Sequence, residues 1–130
     1  MAEHPNVTLL KKGYEAFGKG DMGTLSELFD QDATWHEPGE NPLSGDHKGR
    51  DAVLGFLGQL AVLSNGTIKA ETHDILANDE HGVGLINVTG SREGKELNIK
   101  TAHVFHIKDG KVTEVWSFPE DQRANDEFWS

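Results

Sequence analysis

Apolar residues first recur at Val7, Leu10, Tyr14 and Phe17, the three-and-four spacing of one helical face, with Pro5 suited to the first turn. Gly18-Lys19-Gly20-Asp21 breaks that pattern. Asp21 then reads as the N-cap of a short helix carrying Leu25, Leu28 and Phe29. A brief extended piece, Ala33 to His36, stops at Pro38-Gly39, and the glycines and prolines of residues 37–49 predict a loop. Val53, Phe56, Leu57, Leu60 and Leu63 mark a third helix, ended by Asn65-Gly66. The period then changes to two. Thr67 to Asn78, His81 to Arg92, Leu97 to Ile107 and Lys111 to Phe118 read as four strands, joined by turns at 78–80, 92–94 and 108–110.

Helices followed by a meander of long strands predict an α+β domain, a curved antiparallel sheet wrapped around three N-terminal helices. Gly84 and Gly90 are places where such strands bend. A sheet curled over helices encloses an apolar cavity. No repeat or linker divides residues 1–130, so one domain is expected.

Composition narrows the chemistry. Twelve Lys and Arg against 22 Asp and Glu give a net charge of −10, which disfavours nucleic acid and anionic membranes and favours a neutral ligand. There is no cysteine, hence no disulfide, thiolate metal site or cysteine nucleophile. No apolar run is long enough to span a bilayer, and the opening residues lack the order of a signal peptide, so a cytoplasmic location is expected. Seven histidines raise the question of metal. However, His103 and His106 are three apart on a strand and face opposite ways, and no local spacing matches a metal motif, so neither metal nor cofactor is expected.

Tyr14-Glu15-Ala16-Phe17, Gly20-Asp21, Leu28-Phe29, Asp32 to Trp35, Pro38-Gly39, Gly49-Arg50, Val104-Phe105, Asp109 to Val112 and Trp116 together resemble a SnoaL-like protein of the nuclear-transport-factor-2-like superfamily. That branch contains polyketide cyclases and steroid ketoisomerases. The resemblance implies a cone-shaped fold, a deep cavity, and a homodimer formed through the outer face of the sheet. It also implies roles. Tyr14 falls where the isomerases keep an oxyanion tyrosine, and Glu37, before Pro38, falls on their general base. His103 stands where they keep a protonated aspartic acid, a departure from the isomerase pattern. Asp121 lies near the acid/base aspartate of the cyclases.

The trio makes chemical sense on its own: abstracting a proton beside a carbonyl needs a base near the carbon and donors near the oxygen. Each residue also has an ordinary explanation. Tyr14 and His103 fit core positions, Glu37 a solvated loop, and Asp121 a charged C-terminal turn. Trp35, Phe56, Phe105, Trp116 and Phe118 are read as the aromatic wall of a ligand cavity. Phe128 and Trp129 should dock on the cavity mouth or on a second copy. Three functions are compatible with these residues: an acid–base enzyme of the ketoisomerase or cyclase type acting on a neutral apolar carbonyl compound, a non-catalytic carrier, or a dimerisation scaffold. An epoxide hydrolase would need a pocket arginine, and Arg50 and Arg92 are poorly placed for it.

Overall fold

A computed structural model describes residues 3–130; the first two residues of the stretch read above for a signal peptide lie outside the described residues. Helix α1 (Pro5–Lys19) begins with proline at its first position, where a missing N–H costs nothing, and ends at Gly20, whose φ of 68° only glycine adopts freely. Asp21 caps α2 (Met22–Leu28), its Oδ1 accepting from the Thr24 N–H at 3.1 Å. Strand β1 (Phe29–Glu37), β2 (Gly45–Lys48) and α3 (Arg50–Leu63) follow.

The long strands are β3 (Lys69–Ala77), β4 (His81–Arg92), β5 (Lys95–Lys108) and β6 (Lys111–Pro119). Two of their turns are two-residue loops. Glu93-Gly94 and Asp109-Gly110 all have positive φ, so each pair of residues continues the right-handed twist of its hairpin. Helix α4 (Gln122–Trp129) closes the chain.

One sheet of order β2-β1-β6-β5-β4-β3 results, unclosed, with irregularities at residues 72–74 of β3 and 106–107 of β5. Helices and concave face share the core: Leu10, Leu28, Phe29, Val53, Phe105 and Val112 are all buried there. The α+β architecture is as the apolar pattern predicts.

Four details differ. The sheet is mixed, since β1 runs parallel to β6 (Trp35 beside Val115). Phe29 opens β1 instead of closing α2. The predicted loop at 37–49 contains β2, which pairs antiparallel with β1 through Trp35 and His47. Finally, the C-terminal stretch forms α4 because Asp121 caps it and Asn125, Phe128 and Trp129 supply a buried face. Among the described residues no helix is long and apolar enough to cross a membrane.

Candidate functional site

Side chains alternate across a strand, so β5 presents Thr101, His103 and Phe105 to the concave side, and β6 presents Ser117 and Pro119. With Tyr14 of α1, Trp35 and Glu37 of β1, Phe56 of α3 and Asn125 and Trp129 of α4 they line a pocket of about 110 Å³.

The register arranges the polar members in one row. His103 lies beside Gly84 on one side and Ser117 on the other. His36 pairs with Trp116, which brings Glu37 alongside Ser117. Glu37 and His103 are therefore two strands apart, with backbones about 10 Å from each other at the usual strand spacing.

Gly84 has a specific function in this row. A β-carbon there would overlap the Tyr14 hydroxyl, so only glycine lets α1 bring that hydroxyl down onto the sheet. The Tyr14 oxygen lies 2.7 Å from His103 Nδ1, the two ring planes being nearly parallel at 6°. Trp35 and Phe105 both meet the imidazole edge to face, with centroids 5.1 and 6.1 Å away. Burial pushes the tyrosine far above its ordinary value and depresses His103 to about 4, so both are neutral at pH 7.

The pair then holds two donor hydrogens, one O–H and one N–H, and its internal bond uses one of them. Whichever tautomer the imidazole adopts, one donor is left over. Both residues retain accessible surface despite their depth, and that surface opens onto the pocket they line.

Glu37 is the other pole. Its Oε1 accepts from the Trp35 indole N–H at 3.0 Å. Desolvation raises its pKa to about 7; the Trp35 bond opposes this and the nearby Asp126 carboxylate reinforces it. Burial pulls Asp126 itself upward, yet hydrogen bonds from Asn41 Nδ2 (2.7 Å) and Gln122 Nε2 (3.0 Å) prevail and keep it below its ordinary value.

Six of the expected residues thus meet at one pocket: Tyr14, Glu37 and His103, with Trp35, Phe56 and Phe105. Three do not. Asp121 is exposed and spends its Oδ1 on the Ala124 N–H at 3.0 Å, capping α4. Trp116 and Phe118 point to the convex face, because β6 turns Val115 and Ser117 inward and strand alternation sends their neighbours out. Trp116 stacks on His36 there, and Phe118 is 56% exposed.

Sequence reasoning missed Thr101, Ser117 and Asn125; Trp129 it expected at the cavity mouth or on a second copy, but without the helix that carries it. The signal for that helix was present: Asn125 and Trp129 are four apart, downstream of an aspartate able to cap a helix. No group of three or more His, Asp or Glu side chains among the described residues is arranged to hold a metal.

Comparison with known proteins agrees with the architecture. The family model described as a SnoaL-like domain matches residues 10–115. Bal32a, from a soil-derived mobile gene cassette, is 39% identical and superposes with a TM-score of 0.94 over 97% of each chain. An uncharacterized protein of Mycobacterium tuberculosis is 29% identical over the full length of both chains. A nuclear-transport-factor-2-like protein from Burkholderia xenovorans, 24% identical, superposes with a TM-score of 0.82 over 100% of this chain and 99% of the other.

Proposed function

Since the chain belongs to the SnoaL-like family and has its nuclear-transport-factor-2-like fold, we propose that it is a cofactor-independent acid–base enzyme moving a proton next to the carbonyl of a small neutral compound. One observation carries this reading. An interior glutamate poised near pH 7 and a neutral Tyr14–His103 pair with one spare donor line the same apolar pocket. A base titrating near the working pH is suited to both taking and returning a proton.

In the proposed step Glu37 takes a proton from the carbon beside the carbonyl. The C–H electron pair becomes the new C=C bond, and the C=O pair moves onto oxygen. The spare donor of the Tyr14–His103 pair hydrogen-bonds that enolate oxygen. Glu37 then returns its proton to the original carbon or to another, giving exchange or isomerisation. Trp35 holds the carboxylate in place and, by bonding its ionised form, keeps it from becoming still more basic.

The pocket volume supports a small substrate. At about 110 Å³ it is somewhat smaller than the roughly 150 Å³ cavity known to admit one benzene ring, which favours a substrate no larger than a single ring over a fused four-ring steroid.

The test is hydrogen–deuterium exchange beside the carbonyl of 3-cyclohexenone, followed by NMR in heavy water. Wild type should exceed the buffer rate, and Glu37→Gln should lose at least about a hundredfold of the enzymatic rate. Exchange that survives Glu37→Gln, or never exceeds buffer, would remove the acid–base reading. Saturable binding without exchange would identify a carrier.

The convex face supports a further proposal, that two copies pair through the sheet. Phe118 and Leu85, 56% and 36% exposed, flank Ala102 on that face and would be covered.

A further inference from the structure

Four polar residues are buried among the described residues: Ser64, Thr101, Ser117 and Asn125. Ser64 is satisfied, its hydroxyl donating to the Ala61 carbonyl at 3.2 Å and accepting from the Ile68 N–H at 3.1 Å. The other three, each 7% exposed, line the pocket, and their side chains make no hydrogen bond within the described protein. Among the described residues no side-chain nitrogen or oxygen is both sealed from space and unpaired, so these groups face the pocket they line.

Leaving such groups unpaired in an apolar wall costs about 1–3 kcal/mol apiece. An apolar ligand filling the pocket would incur that cost, and a ligand with a matching polar atom would remove it.

Their placement defines where that atom lies. Ser117 sits between Glu37 and His103 in the row across the sheet, and Thr101 is paired with Pro119 one row nearer α4. Asn125 comes from α4, next to Asp126, whose carboxylate meets the Gly39–Asn41 loop beyond Glu37. Thr101 and Asn125 therefore stand on the α4 side of the row, and Ser117, beside His103, joins that wall to the Tyr14–His103 pair. An asparagine amide and two hydroxyls can donate or accept, which suits a carbonyl or hydroxyl equally. Among the described residues no Lys or Arg lines the pocket, and two carboxylates, Glu37 and Asp126, stand beside this wall, so a ligand carboxylate is disfavoured.

We propose that Asn125, with Ser117 and Thr101, forms a second oxygen-binding subsite, so that the pocket selects a neutral single-ring compound carrying two oxygen functions over a monofunctional ketone. One oxygen is held by the Tyr14–His103 pair and the other by the α4-side wall. This rests on the acid–base reading for the first oxygen but on separate residues for the second.

The test is calorimetric titration of the wild type, Tyr14→Phe, Asn125→Leu and Ser117→Ala with phenol, catechol, resorcinol and hydroquinone. At least one diol should bind wild type about tenfold more tightly than phenol, the value of one good hydrogen bond. That diol-to-phenol ratio should fall to about one in Asn125→Leu and shrink in Ser117→Ala, a one-atom change that serves if the leucine disturbs α4. Tyr14→Phe should weaken phenol and diol together and leave their ratio intact. If no diol exceeds phenol, or the ratio survives both wall variants, the second subsite is refuted while a Tyr14-dependent phenol site stands. If phenol binding ignores Tyr14→Phe but the diol advantage depends on Asn125, the acid–base assignment fails and the subsite remains.

Discussion

Replacing Glu37 by glutamine should make the protein more stable, and increasingly so as pH rises. The carboxyl is held at about 7 in the fold against an ordinary 4.5, because burial disfavours its charge. A raised carboxyl leaves stability intact below about pH 4.5 and erodes it as pH climbs through 7, since the unfolded chain then ionises more easily than the native one. The gap of about 2.5 pH units at 1.36 kcal/mol each sets a ceiling of about 3.4 kcal/mol, of which about 2.5 kcal/mol develops between pH 5 and pH 9. Glutamine keeps the shape and can still accept the Trp35 indole bond, so the comparison isolates the charge. Thermal melts of both proteins at pH 5, 7 and 9 should show Glu37→Gln gaining roughly 7 °C on wild type across the range. An offset that stays constant from pH 5 to pH 9 would refute the buried-charge argument, and with it the basis for Glu37 as a tuned base.

Other consequences follow from neighbouring contacts. Gly84→Ala puts a β-carbon onto the Tyr14 hydroxyl; it should cost about 1–3 kcal/mol in urea melts and weaken phenol binding about tenfold, and an alanine variant that kept both would disprove the close approach. On the convex face His36 bonds Asp46 at 2.7 Å and Glu114 at 2.6 Å, stacks on Trp116, and shares Glu114 with His106. Partial burial lowers the imidazole pKa, but the two carboxylates outweigh it and raise it above 6.5. The stabilisation is thus complete below pH 6.5 and lost as pH rises through the raised value, so the melting-temperature gap between wild type and His36→Gln should be wider at pH 6 than at pH 9. Phe118→Asp should reduce the sedimenting mass to that of one chain if copies pair through the sheet; an unchanged mass would place any interface elsewhere.

The apolar pattern carried the fold wherever one period ran long enough to be distinctive. The stripe of α1 and the four long strands are of that kind, and their hairpin turns carry glycine where φ must be positive. It lost definition where elements are short or packed on both sides. Strand β2 is four residues of mostly exposed Gly-Asp-His-Lys, held by pairing with β1 and by the stacking of His47 on Phe56, so it has no apolar rhythm to find. The parallel contact of β1 with β6 joins strands some eighty residues apart, and local sequence holds no record of that register. Trp116 and Phe118 show the limit differently: a large aromatic in a strand suggests an inward face, yet Ser117 between them is the residue that turns in.

The site shows the same division between residue type and depth. Glu37 and Asp121 were equivalent on the page of sequence, two carboxylates beside a proline-containing turn. Position separates them. Asp121 starts a helix, and its hydrogen bond to the Ala124 N–H uses it as a cap in contact with solvent. Glu37 ends a strand whose alternation turns it inward beneath Trp35, and α4, started by Asp121, then brings Asp126 close enough to raise its pKa further. In the proposed reading Asp121 therefore acts through Glu37: removing the cap should loosen α4, withdraw Asp126, Asn125 and Trp129 together, and rehydrate Glu37. Asp121→Ala would then lower the pH midpoint of Glu37-dependent exchange toward the ordinary carboxylate range, whereas a direct catalytic part for Asp121 would abolish exchange at every pH.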